Sequence, residues 1–174
     1  SHWSFVKKEW NHEYVVVKEN NQIVATAMIL FRSLPFKLTM AYIPRGPIMD
    51  YSNQELVKFT LSSIRDFCKK RHAIECKFDP NIVIGSFEIS QKQEAQNAKD
   101  DQLVADLNRA GAVFHGYNIS LSEAVQPRFQ CCFEIDENWE SRFPKKTLEK
   151  VNSSFKKGIQ IQNEGIDGAK HLAQ

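Results

Sequence analysis

The chain has 174 residues, 42% hydrophobic and 25% charged, with 23 Lys and Arg against 21 Asp and Glu for a formal charge of +2. There is enough apolar material for a core, and the charge balance neither announces nor excludes a nucleic-acid partner, whose bulk-charge footprint is far more lopsided. No apolar run approaches the roughly 20 residues of a membrane span, and the opening "SHWSFVKKEW" has no apolar signal core.

In chain order, Trp3 to Trp10 places Trp3, Val6 and Trp10 at helical spacing, which predicts a short helix. "EYVVVKENNQIVATAMILFRSL" reads as a β-hairpin turning at Asn20 and Asn21, since asparagine tolerates positive φ at low cost. "LTMAYIP" is a third strand closed by Pro44. From Ser52 to Arg71, Leu56, Phe59, Leu61, Ile64 and Phe67 predict a long amphipathic helix, with Ser52 as N-cap and Glu55 completing a capping box.

"AIECKFDP" reads as a buried strand ended by Pro80. A polar stretch leads into the helix "LVADLNRAGA", stopped by Gly111. "VFHGYNISL" and "RFQCCFEID" read as the last two strands of a first unit, residues 1–136. Beyond it, "NWESRFPKKTLEKVNSSFKKG" is a helix broken early at Pro144, "IQIQN" a short strand and "GIDGAKHLAQ" the start of another helix. Residues 137–174 thus read as the opening of a second, truncated domain. The element order indicates an α/β fold with a mixed sheet flanked by helices.

Cys68, Cys76, Cys131 and Cys132 show no CxxC or zinc spacing, and the adjacent Cys131 and Cys132 would face opposite sides of a strand. A reducing, cytoplasmic setting is expected. The five histidines are scattered, with no HExxH and no Cys-His-Asp set, and neither GxxxxGK[ST] nor GxGxxG occurs. No metal and no cofactor are expected.

The most informative stretch is "AYIPRGPIMDYSNQEL". Pro44 and Pro47 cannot donate to a ladder, so the strand ends or lies at an edge there, and Gly46 permits a close backbone approach. Arg45 is thereby held on a stiff turn, where its planar guanidinium can grip a phosphate or carboxylate. It can equally pair with Asp50 or Asp79 in a purely structural turn. Asp50 can accept from the start of the next helix or from a ligand hydroxyl. Asp79 stands at a strand C-terminus, where α/β sheets place ligand groups, or caps the next turn. Lys7 is a solvated lysine or a phosphate contact, and Arg128 in "QPRF" a surface charge or a ligand contact.

Four segments carry a family resemblance. "WSFVKKEW" resembles WxxVKxxW, "YIPRGPIMDYSNQELV" resembles the most recognisable string of the Fem family (FemABX), "IECKFDPNI" resembles hhKhDPxI, and "GYNISLSEAVQPRF" resembles that family's iQPR segment. They occur in family order over roughly residues 3–130. "FPKKTLEKVNSSFKKGIQI" is similar to the start of the family's second domain, but Leu148 stands where an arginine is usual, which puts a ligand role there in doubt.

The resemblance implies two GNAT-like domains, the acyltransferase fold, of which this chain holds the first and a fragment of the second. It implies transfer of an amino acid from aminoacyl-tRNA to the peptide of a UDP-linked or lipid-linked peptidoglycan precursor. The precursor pyrophosphate would lie in an interdomain cleft, with Lys7 as a phosphate contact and Tyr42, Arg45, Asp50, Asp79 and Arg128 as cleft residues. Such transfer needs orientation and proton removal rather than a covalent intermediate, and the missing second domain makes this chain inactive alone. Two other readings share the sequence. A GNAT-type N-acetyltransferase would need a [QR]xxGx[GA] loop that is absent. A non-catalytic RNA- or precursor-binding module would need clustered cations, for which only "PKK" and "FKK" offer a small patch.

Overall fold

The computed structural model describes residues 9–117, 126–132 and 135–163. The chain divides into two compact units, Ser1–Phe129 and Gln130–Gln174.

The first unit is a five-stranded mixed sheet with helices. Strands β1 (Trp10–Glu19) and β2 (Gln22–Ser33) form the expected hairpin. Asn20 and Asn21 take φ of 47° and 67°, the double left-handed turn that matches the twist of the flanking strands. β3 (Thr39–Arg45) is antiparallel to β2 and β5 (Ala73–Pro80) is parallel to β3, so the order is β1-β2-β3-β5. The two-residue β4 (Ile48–Met49) also pairs with β2, at Ala25 and Thr26.

β3 and β4 run along the same side of β2 but out of register. Tyr42 is opposite Leu30, so unbroken pairing would set Gly46 opposite Thr26, yet Ile48 is found there. Two surplus residues are therefore accommodated between the prolines. β5 pairs with β3 as far as Arg45 and Pro80, so the strand runs one residue past Pro44 instead of closing at it.

Helix α1 (Gln54–Lys69) covers one face of the sheet, burying Val57, Thr60, Leu61, Ile64 and Cys68 at helical spacing. Its N-cap is Asn53, whose side chain accepts from Leu56 N–H at 3.1 Å, and not the expected Ser52. Ser52 is drawn back instead, donating its hydroxyl and its N–H to Asp50 Oδ1. Under the helix lie Ala27, Ile29, Phe31, Ala41 and Ile43, with Cys76 and Phe78 of β5 packed against them. Ile29 and Ile43 are wholly buried, each stabilising the fold by about 1.5–3 kcal/mol. At the helix exit Arg71 ion-pairs with Glu13 of β1 at 2.5 Å and stacks 3.6 Å over the Phe67 ring, pinning the helix end to the sheet edge.

Helices α2 (Lys92–Asn97) and α3 (Asp101–Arg109) follow. Asp100 caps α3 through Leu103 N–H, and Gly111 at φ 93° stops it as expected. In the second unit a 3₁₀ turn, Trp139–Arg142, precedes Pro144, and helix α4 (Lys145–Lys156) follows it.

Several expectations are corrected. Trp10 opens β1 opposite Arg32 and is not the end of a helix; Trp3 to Lys8 lie outside the described residues. β5 is a half-exposed edge strand rather than a buried one, with Ile74 65% exposed. Val113–Tyr117, the described part of "RFQCCFEID", and 159–163 form no strand. Their apolar alternation is genuine, but a strand also needs a neighbour to take its backbone hydrogen bonds. The rest of "VFHGYNISL" and "GIDGAKHLAQ", apart from Tyr117 and the residues before it, lies outside the described residues.

Candidate active-site cleft

Strand alternation places Tyr42 and Asp79 on the sheet face opposite α1, because Ile43 and Phe78, their chain neighbours, pack into the cluster beneath the helix. β3 and β5 are parallel, with Pro44 level with Asp79, so both residues reach the C-terminal end of the strand pair. There the Tyr42 hydroxyl donates to Asp79 Oδ1 at 2.9 Å, and the Arg45 backbone N–H donates to the same oxygen at 3.1 Å. Asp79 Oδ2 is buried with no hydrogen-bond partner among the described residues. A buried carboxylate oxygen left in this state is costly, and it is the one orphan acceptor at this end of the sheet among those residues.

Arg45 takes φ 51°, a left-handed conformation that costs a side-chain-bearing residue roughly 1 kcal/mol. The turn imposes it, between Pro44 and the Gly46–Pro47 pair. Gly46 is needed because a Cβ there would stand 3.1 Å from Ile43 Cγ2. The Tyr51 hydroxyl donates to the Pro47 carbonyl at 2.6 Å and locks the far side. Arg45 projects to donate through Nη2 to the Pro127 carbonyl at 3.2 Å, and it lines an open cleft of about 560 Å³ with Ile48, Met49, Tyr51, Asn81, Ile82 and Val83.

Burial pushes the Tyr42 phenol well above its ordinary value; the Asp79 carboxylate adds to this, and a hydrogen bond from the Gln126 side chain partly offsets it. Tyr42 is therefore a neutral donor at any physiological pH, fixed on Asp79. Burial likewise raises the Tyr51 phenol. Arg45 keeps its guanidinium in a mixed apolar and polar cleft, suited to a phosphate or carboxylate.

Of the residues singled out from sequence, Tyr42, Arg45 and Asp79 are thus brought together. Asp50 is not among them. It is exposed and forms a local turn, and the Ser52 hydroxyl, then the Ser52 N–H, hold its carboxyl below the usual range. Arg128 donates to the Tyr117 carbonyl at 3.3 Å and to the Ala98 carbonyl at 2.6 Å, and its guanidinium lies 4.7 Å from the Tyr117 ring centroid and 5.0 Å from that of Phe129. Lys7 lies outside the described residues. Sequence reasoning missed Tyr51, Gln126 and Asn81. Gln126 and Asn81 sit within strings already quoted, "QPRF" and "FDPN", but nothing in their type marked them. Among the described residues no cluster of His, Cys, Asp and Glu could hold a metal, and no helix is long and apolar enough to cross a membrane.

A model of the FemAB family matches residues 1–172. The chain belongs to the FemAB family. Among relatives, a lipid II:glycine glycyltransferase of Staphylococcus aureus (strain MRSA252) is 26% identical over 179 aligned residues, covering 99% of this chain and 39% of the relative. A lipid II:glycine glycyltransferase of Staphylococcus epidermidis (strain ATCC 12228 / FDA PCI 1200) is 27% identical, covering 99% and 40%. The chain therefore spans about two-fifths of the length of these FemAB relatives. A crystal structure of FemX is similar with a TM-score of 0.48 and 26% identity, over 64% of this chain and 25% of that one.

Proposed function

We propose that this chain is the precursor-binding part of a transferase of peptidoglycan bridge formation, one that moves an amino acid from aminoacyl-tRNA onto the peptide of a lipid-linked or UDP-linked precursor. The observation that carries this reading is the cleft at the end of β3 and β5, lined by Arg45, whose backbone N–H binds an Asp79 carboxylate with one oxygen unsatisfied among the described residues. Membership of the FemAB family and relatives named for glycine transfer to lipid II support it.

In this proposal the cleft fixes the acceptor. Arg45 grips an anionic group of the precursor, phosphate or carboxylate, and Asp79 Oδ2 accepts from a ligand N–H or O–H, which relieves its unpaired burial. Tyr42 holds Asp79 in place. Lys7 adds a phosphate contact, and Asp50 supports the segment that follows the turn by holding Ser52. Arg128 serves by fixing the segment that carries Gln126 and the Pro127 carbonyl. Attack of the acceptor amine on the aminoacyl ester then depends on orientation and charge placement. The fold is a GNAT-like domain over residues 1–136 with a second begun at 137, the setting is cytoplasmic, and the chain alone is inactive in transfer.

Calorimetric titration of the chain with a UDP-muropeptide and with a soluble lipid II analogue tests this. Saturable binding of either, weakened at least tenfold by Arg45→Ala, is expected. Binding of acetyl-CoA in place of both precursors would overturn the reading.

A further inference from the structure

The opposite end of β3 carries a surface that the cleft does not use. Between β2 and β3 the chain turns through Leu34 to Leu38, closed by Leu34 N–H to the Leu38 carbonyl at 2.9 Å and by Leu38 N–H to the Pro35 carbonyl at 3.3 Å. Inside this turn Phe36 and Lys37 both take left-handed φ, 60° and 58°. A phenylalanine in that region is a true outlier, and here it is 94% exposed. The turn thus holds a large aromatic out in water. Pro35 and Leu38 beside it are exposed as well.

This tip is set among cations. Thr39 binds the exit of α1 twice, its N–H to the His72 carbonyl at 3.0 Å and its hydroxyl to the Arg71 carbonyl at 2.8 Å. That brings the exposed Lys69 and Lys70 to the same end of the sheet as Lys37 and the exposed Arg32. Two carboxylates on neighbouring elements, Glu13 and Asp66, ion-pair with Arg71 and Arg65. Lys69 and Lys70 also offset the dipole at the end of α1, which explains cations there but not an aromatic in open solvent. An apolar tip ringed by lysine and arginine has the chemistry of a surface that seats on anionic headgroups with the ring in the acyl boundary.

We propose that the turn at Pro35–Leu38, with Arg32, Lys37, Lys69 and Lys70, is a docking surface for an anionic lipid bilayer. This inference stands on these side chains and not on the cleft, which lies about 20 Å away along β3. The whole 174-residue chain is sedimented with phosphatidylcholine vesicles, with and without phosphatidylglycerol. Binding to the anionic vesicles alone is expected, reduced about tenfold by Phe36→Ser and by the pair Lys69→Glu and Lys70→Glu, and unchanged by Phe59→Ser on the other half of α1. No binding to anionic vesicles overturns the proposal, as does binding indifferent to Phe36→Ser or equally lost in Phe59→Ser. Self-association that depends on Phe36 without vesicles would assign the surface to a second copy of the chain and overturn it too. Matched melting curves for the variants keep a folding defect from passing as lost binding.

Discussion

The Tyr42 hydroxyl lies 2.9 Å from Asp79 Oδ1, tying the middle of β3 to the last turn-ward residues of β5 on the sheet face away from α1. The bond leaves Asp79 half satisfied: among the described residues Oδ1 has two donors and Oδ2 has none. A carboxylate so divided is held in one orientation through Oδ1, while the buried Oδ2 keeps the capacity to accept a further hydrogen bond.

Asp79→Asn separates these roles. The amide oxygen can still accept from Tyr42 and Arg45, so melting is expected to move little. The amide nitrogen now stands where Oδ2 was and repels a ligand donor. Precursor affinity should fall by about tenfold or more; calorimetry of the variant checks it, and unchanged affinity would remove Asp79 from the binding surface.

The two raised phenols give a pH signature. In the unfolded chain both ionise near pH 10, whereas in the fold Tyr42 and Tyr51 keep their protons to higher pH. The folded state then holds more protons, so their contribution is fully present below about pH 10 and is lost as pH rises above it. Urea unfolding from pH 8 to 11 should show stability falling above pH 10, with a shallower fall in Tyr42→Phe.

Gly46→Ala tests the turn. The new Cβ would sit 3.1 Å from Ile43 Cγ2, and Ile43 is wholly buried, so it has no space to yield. A destabilisation of about 1–3 kcal/mol is expected, read as a lower urea midpoint at unchanged slope.

Phe36→Asn should do the reverse. Asparagine accepts the left-handed conformation more readily than phenylalanine, and an exposed ring gives up no packing when removed. A gain of about 1 kcal/mol is expected, seen as a raised melting temperature. A loss would mean that the ring makes contacts in solution.

The hairpin, the long helix and the Gly111 stop were legible because each rests on local chemistry: asparagine at positive φ, apolar spacing and a glycine past a helix end. Tyr42, in contrast, entered the site set through the family resemblance, and local chemistry left Arg45 to pair with either Asp50 or Asp79. The cap went to Asn53 because Asp50, two residues before Ser52, captured the serine that the capping box assigned to the helix. Arg128 could be read as surface or ligand, and neither reading included carbonyl partners 11 and 30 residues away. Such partners leave no trace in neighbouring residues. The described parts of the strands expected after Gly111 form none for a related reason: alternation reports which faces a segment has, and says nothing about whether an edge is free to receive it.

The surplus residues between Pro44 and Pro47 also bear on how this segment can vary in length. Side chains alternate along a strand, so removing one residue there would exchange Ile48 and Met49 between the two faces of the sheet. Met49 would leave the helix side, where it stands level with Ala25, and Ile48 would take that side, so the two residues that both line the cleft would present different parts to it. The wall of the cleft is therefore set by a residue count as much as by residue type. A chain that kept every side chain named here but shortened this loop by one would carry the same letters around a different cavity.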